Sequence, residues 1–432
     1  MEKSIIKQIL IDQKSLLTEK QPDLIKREIN LLDYLDLQEV TVVTGVRRCG
    51  KSSLLHELLR STPPNTEVFY MDFDDPLLSY FADDDFQKAY EASLEMLSSE
   101  PERLIIIFDE VHLVEGWERW VTHFAKNRKN KVFITGSNAK MLSTELATFL
   151  TGRHHVIELF PFSFRELVRE QEPSLLTLTD KTTQDKIKLR RIQSKYFEYG
   201  GFPRSYLDKN PSILKQYYKD ILLKDIVVRR SIRNEKALLE LGSILMTENT
   251  KLFNKSKLLK RLTIDDFETL NNYIYFIEET FLGFQVKKFD FSLGKQIKSK
   301  PKFYSVDFSL ARQCGFSFSE NSGAALENAV MIELLRQANE LYYWNTDQGY
   351  EVDFIVKNNQ VIEQAVQVSF DVHSEEVLKR ETRSLLAAKD EIDAQELLLI
   401  TLNPIEDKLK ELIPDNIRTL TFIEWALSYY AA

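Results

Sequence analysis

Two short stretches of this chain carry residue types that could act on a phosphate. Gly45-Val46-Arg47-Arg48-Cys49-Gly50-Lys51-Ser52 is glycine, four residues, then Gly-Lys-Ser, the spacing of a phosphate-binding loop. Glycines at 45 and 50 permit a backbone turn that a Cβ would obstruct. Amides at the start of the following helix, with the positive end of its dipole, would face the β- and γ-phosphates. Lys51 would add a point charge to those phosphates, and the Ser52 hydroxyl would bind Mg2+. The candidate nucleotide contacts are therefore Gly45, Val46, Arg47, Arg48, Cys49, Gly50, Lys51, Ser52 and Ser53. The second stretch is Leu104-Ile105-Ile106-Ile107-Phe108-Asp109-Glu110, an apolar run that delivers two acids to the end of a sheet. Asp109 is the candidate metal residue beside Ser52, and Glu110 the candidate general base for an attacking water. The alternative at 109–110 is a strand end with exposed acids.

Three further groups admit two readings each. Ser137 or Asn138, after the run Lys131-Val132-Phe133-Ile134-Thr135-Gly136, could reach the γ-phosphate or orient water, and Asn138 is taken as catalytic. Serine and asparagine are equally suited to cap the next helix. Arg153, in Thr151-Gly152-Arg153, could stabilise phosphoryl charge from its own subunit or a neighbour, or be an ordinary surface arginine. The acids at 72, 74, 75 and 83–85 could form a metal cage, but turns and a helix N-terminus account for them more simply.

The elements that must place these residues are legible from pattern. Glu39–Thr44, Glu67–Phe73, Leu104–Asp109, Lys131–Gly136 and His155–Leu159 read as buried strands alternating with helices, an α/β fold with a mostly parallel sheet. Apolar residues at helical spacing in 1–35 suggest helices leaning on that sheet. Further on, helix patterns at 236–248, 255–262 and 266–279 precede two strands near 281–289 and 301–306, the order of a winged helix. From Lys251 to Lys302 the sequence holds eleven Lys or Arg against six Asp or Glu. Lys287, Lys288, Lys295, Lys298, Lys300 and Lys302 would decorate the hairpin and contact nucleic-acid phosphates. A protein-contact module with a solvated basic face is the alternative. From 324 on, a helix carrying Glu327, strands near 341–344, 349–356 and 364–369, a helix at 375–388, a strand at 396–401 and a last helix make another α/β unit.

With 432 residues, 43% of them hydrophobic and 28% charged, the chain has the composition of a globular protein of several domains. A net charge of −9 argues against polyanion binding over the whole surface, though not against a local basic patch. Two cysteines, Cys49 and Cys314, give no disulfide framework and fit a reducing cytosol. The polar start, MEKSIIKQILIDQKS, is no secretory signal. No stretch of about 18 apolar residues occurs, so the expectation is a cytoplasmic protein without a membrane span.

GVRRCGKS, FDEVH, ITGSNAKML and LTGRHHVIELFPFSFREL, then YGGFP, KFYSVDFSLA, GAALENAV, YYWNTDQGYEVDFIV and AVQVS, together resemble the prokaryotic AAA+-type P-loop ATPases that carry a C-terminal DUF4143 region. The resemblance implies an AAA_14-like nucleotide core with ATP and Mg2+ as ligands, a winged helix, and a C-terminal fold like the PD-(D/E)xK nucleases. The chain then divides into a P-loop ATPase domain (1–172), a helical lid or linker (173–234), a winged-helix domain (235–312) and a nuclease-like domain (313–432). By the same resemblance Asp353 and Glu327 take acidic positions of the nuclease site. The segment that should supply an acid and a lysine reads Gln367-Val368-Ser369, so a fold without cleavage is expected. The implied function is a Mg2+-dependent ATPase that couples hydrolysis to DNA binding or remodelling, as a homo-oligomer if Arg153 acts in trans. A nucleotide-dependent signalling switch acting on a protein, and an ATP-driven nuclease, are the alternatives.

Overall fold

The strands that end at the phosphate-chemistry residues lie in one parallel sheet. In our computed structural model, which describes residues 1–18, 24–63, 66–97, 101–136, 154–178, 180–264, 266–316, 322–337 and 340–428, they are β1 (Val40–Thr44), β2 (Thr66–Asp72), β3 (Arg103–Asp109), β4 (Asn130–Gly136) and β5 (His154–Glu158). Their spatial order is β2-β3-β4-β1-β5, and every neighbouring pair is parallel. Parallel strands covered on both faces must be apolar throughout. Accordingly all five residues of β1 are buried, as are the last six of β3. Ile6, Ile9 and Leu10 of the helix Lys3–Thr18 pack into one core with Phe69, Phe86, Phe108, Trp117 and Phe124. Because β4 lies between β1 and β3, the loop after β1, the acids ending β3 and the last residues of β4 share one edge of the sheet.

The chain forms two compact units, Met1–Phe160 with Glu279–Phe281, and Pro161–Glu278 with Leu282–Ala432. The second is built on a mixed sheet of β6 (Gly283–Lys288), β7 (Lys302–Ser305), β8 (Glu340–Asn345), β9 (Glu351–Asn358), β10 (Val361–Ser369), β11 (Glu396–Thr401) and β12 (Ile417–Thr421). Its order is β12-β11-β10-β9-β8-β6-β7. Strands β6 and β7 pair antiparallel, and β6 also pairs parallel with β8 through Lys287↔Tyr342 and Lys288↔Tyr343. The hairpin thus extends the C-terminal sheet. Asn359 turns between β9 and β10 at φ +54°, a left-handed conformation asparagine tolerates. Helices Glu235–Thr247, Lys255–Arg261 and Phe267–Glu279 precede β6. The short helix Leu293–Lys298 inside the hairpin connection and the edge strand β12 were not visible in the sequence pattern. Each has only five or six residues, too few for a period to show.

Candidate active site

The loop after β1 turns through three left-handed residues, Gly45 (φ +147°), Arg48 (φ +70°) and Gly50 (φ +107°). A Cβ on Gly45 would stand 2.0 Å from the Leu159 carbonyl oxygen, so only glycine fits there. Gly50 caps the helix Lys51–Arg60, which aims its first N–H groups at the loop's interior. Val46 and Cys49 within the loop are wholly buried. Burial also pushes the Cys49 thiol up, which suits a space-filling role.

Arg27, itself buried, braces this loop from behind. Its guanidinium donates to the Cys49 carbonyl at 2.9 Å and to the Phe160 carbonyl at 2.6 Å. The helical spacing around Arg27 is not realised: residues 24–30 are irregular and lead into the short helix Leu31–Tyr34. No local spacing marks an arginine that acts on a loop 22 residues away.

Lys51 Nζ donates to the Gly45 carbonyl at 3.1 Å and lies 3.6 Å from Glu110 Oε1. Glu110 adopts φ +51°, a strained choice for a residue with a long side chain. His112 Nδ1 stands 3.5 Å from Glu110 Oε2. The Glu110 amide donates to Thr135 Oγ1 at 2.9 Å, and the Thr135 hydroxyl donates to Asp109 Oδ1. Asp109 also accepts from the Ser52 hydroxyl and, at 3.4 Å, from Tyr70. Burial, and then Glu110, push the Asp109 carboxyl above its ordinary range. Burial and Asp109 likewise push Asp72 up to about 6.

The structure therefore brings Lys51, Ser52, Asp109 and Glu110 together. Ser137, Asn138 and Arg153 lie outside the described residues. Thr135 and Tyr70 were missed, although the strands carrying them were found. Parallel register sets Phe108 beside Ile134 and Asp72 beside Asp109, and register is not written in either strand alone. Three of the acids at 74–85 are spent on turns and side-chain bonds. Asp75 caps Leu77, Asp83 binds Arg119 and Trp120, and Asp85 binds Ala82 and Lys88. Among the described residues no group of three or more His, Cys, Asp or Glu could hold a metal ion.

The second unit contains a different lysine–carboxylate cluster, and here one expectation is corrected. Lys302, assigned to the exposed face of the hairpin, is 5% exposed. All four residues of β7 are buried, and the Lys302 ammonium meets Glu351 (2.9 Å), Asp353 (3.2 Å) and Glu327 (3.3 Å). It cannot contact a nucleic-acid phosphate from there. Lys287, Lys295, Lys298 and Lys300 are exposed and Lys288 half-buried.

Residues 37–168 match the AAA domain family AAA_14. Residues 190–320 match a domain of unknown function, DUF8612, and residues 322–414 match the domain of unknown function DUF4143. An uncharacterised protein of Haemophilus influenzae is 31% identical over 83% of this chain and 89% of its own. An uncharacterised protein of Methanocaldococcus jannaschii is 28% identical over 99% of this chain and 96% of its own. Among solved structures, a Walker-type ATPase of Pyrococcus abyssi is 15% identical, with a TM-score of 0.43, over 69% of this chain and 99% of that one. A phosphate loop facing an acid-tipped strand on a parallel sheet, followed by the DUF4143 region, places the chain plainly: it belongs to the family of AAA-domain P-loop ATPases with a C-terminal DUF4143 domain.

Proposed function

We propose that this protein is a Mg2+-dependent ATPase whose nucleotide cycle acts on nucleic acid. The observation that carries the catalytic part is Lys51 Nζ at 3.6 Å from Glu110 Oε1, beside an Asp109 carboxylate bonded to Ser52 and Thr135. Loop amides and Lys51 bind the triphosphate, and Glu110 takes the proton of the attacking water. Thr135 holds Asp109 and the Glu110 backbone at a fixed spacing. Ser52 and Asp109 fit a Mg2+ ion, since a carboxylate that burial resists ionising gains from a cation beside it. Such an ion would neutralise phosphate charge. Asn138 orienting water and Arg153 stabilising charge, in cis or from a second copy, complete the proposal. It is tested by ATP hydrolysis with and without single-stranded, duplex and branched DNA, with sedimentation alongside. No turnover under Mg2+ in any of these would reject it.

The nucleic-acid part rests on the exposed lysines at 287, 295, 298 and 300. Phosphate contacts of this kind make binding steeply salt-dependent. Salt-sensitive DNA binding lost on Lys295→Glu, Lys298→Glu and Lys300→Glu together supports it. The same segment exposes Phe291 (78%), Leu293 (69%) and Ile297 (68%), which favours a second reading, a nucleotide-dependent module docking on a protein. DNA binding indifferent to the three charge reversals would favour that reading. Among the described residues no helix is long and apolar enough to cross a membrane.

A further inference from the structure

Three carboxylates in the second unit converge on one ammonium group. Glu327 comes from the helix Ser322–Leu335, Glu351 and Asp353 from β9, and Lys302 from β7. Lys302 Nζ lies 2.9 Å from Glu351 Oε1, 3.2 Å from Asp353 Oδ1 and 3.3 Å from Glu327 Oε1. The carboxylates are also held from other sides. Tyr304 donates its hydroxyl to Glu327 Oε1 at 2.6 Å, and the Val368 amide donates to Asp353 Oδ2 at 3.0 Å. Gln367 is committed as well, accepting from the Asp353 amide at 3.3 Å and donating to Glu381 at 2.7 Å.

We propose that Lys302 is the resident cation of this cluster, and that its carboxylates serve the lysine and not a divalent metal. The second unit then holds no catalytic metal and cuts no phosphodiester bond. The ammonium donates hydrogen bonds to Glu327 and Asp353 and adds an ion pair with Glu351. Asp353 is buried and Glu327 nearly so, while Glu351 closes the cluster from the surface; buried carboxylates need a compensating cation, and removing one partner of such a set is strongly destabilising. A metal ion entering would have to expel Lys302 and leave its charge buried and unpaired. It would also have to shed water that Mg2+ releases reluctantly. The lysine missing from the stretch 367–369 is therefore present from another strand, but as a counter-ion to the acids. This inference is independent of the ATPase proposal.

The test uses the full chain stripped with EDTA. Mn2+ titrations followed by electron paramagnetic resonance should count the same number of bound ions in wild type and Asp353→Asn. Lys302→Met should lower the melting temperature by about 5–20 °C, and adding Asp353→Asn to it should restore a substantial part of the loss. A Mn2+ ion lost on Asp353→Asn, Mg2+-dependent DNA nicking that requires Asp353, or a Lys302→Met protein that melts like wild type would each overturn the proposal. Should Lys302→Met fail to fold, the ion count in wild type against Asp353→Asn decides alone.

Discussion

Each unit of this protein sets a lysine against carboxylates, and under the two proposals above the clusters serve opposite purposes. Lys51 sits on a glycine loop, held by a carbonyl at 3.1 Å, a second at 3.5 Å and one carboxylate at 3.6 Å. These are long contacts of the kind a stronger anion can replace. Next to it are an exposed serine and the first amides of a helix. Lys302 sits on a strand, with three carboxylates at 2.9–3.3 Å, and one of these also takes a tyrosine hydroxyl at 2.6 Å. Residue type does not separate a binding site from a structural lock. What separates the two lysines is contact length: Lys302 meets three carboxylates within 3.3 Å, whereas the Lys51–Glu110 ion pair is 3.6 Å long.

The same substitution in both places should therefore give opposite results. Lys51→Met is expected to cut ATP turnover by about 1,000-fold, the scale of losing one pre-organised donor, with melting of the nucleotide-free protein moved by no more than about 2 °C. Lys302→Met should leave turnover per folded molecule intact while lowering the melting temperature, as stated above. Equal effects on turnover would erase the distinction. Next in size, Glu110→Gln should slow hydrolysis by about 100-fold or more while ATP binding persists. Single-turnover rates and equilibrium binding measured on one preparation check this.

Thr135→Val removes the hydroxyl that ties Asp109 to the Glu110 amide. A rate loss of about 10-fold is expected, as for outer-shell partners of metal ligands, measured as kcat at saturating ATP. Arg27→Met breaks two bonds to loop and strand-end carbonyls and should cost about 2–3 kcal/mol in denaturant unfolding. The smallest effect is a pH slope. Burial and Asp353 push the Glu327 carboxyl from 4.5 up to about 7. Between those pH values the folded state keeps a proton that the unfolded chain has released, so stability falls as pH rises through that window. Urea unfolding at pH 5 and pH 8 should show the decline, and Glu327→Gln should flatten it.

The amino-acid sequence by itself determined the loop Gly45–Ser52, the acid-tipped strand ending at Asp109-Glu110 and the parallel α/β core. Each of these is a contiguous pattern in which the chemistry and the local backbone are specified by neighbouring residues. The same holds for the helices at 235–247 and 267–279, whose apolar spacing spans several turns. Tertiary structure alone decided which distant groups meet. Arg27 reaches Cys49 across 22 residues, Thr135 reaches Asp109 across 26, Tyr70 reaches Asp109 across 39 and Lys302 reaches Asp353 across 51. In the last case Lys300 and Lys302, two apart, would share a face on one strand, yet Lys300 precedes β7 and is exposed while Lys302 opens the strand and is buried, and no local pattern says which lysine turns inward. That choice belongs to strand register and sheet order. Both are set by packing across the whole unit, because sliding a strand by one residue moves every side chain to the other face.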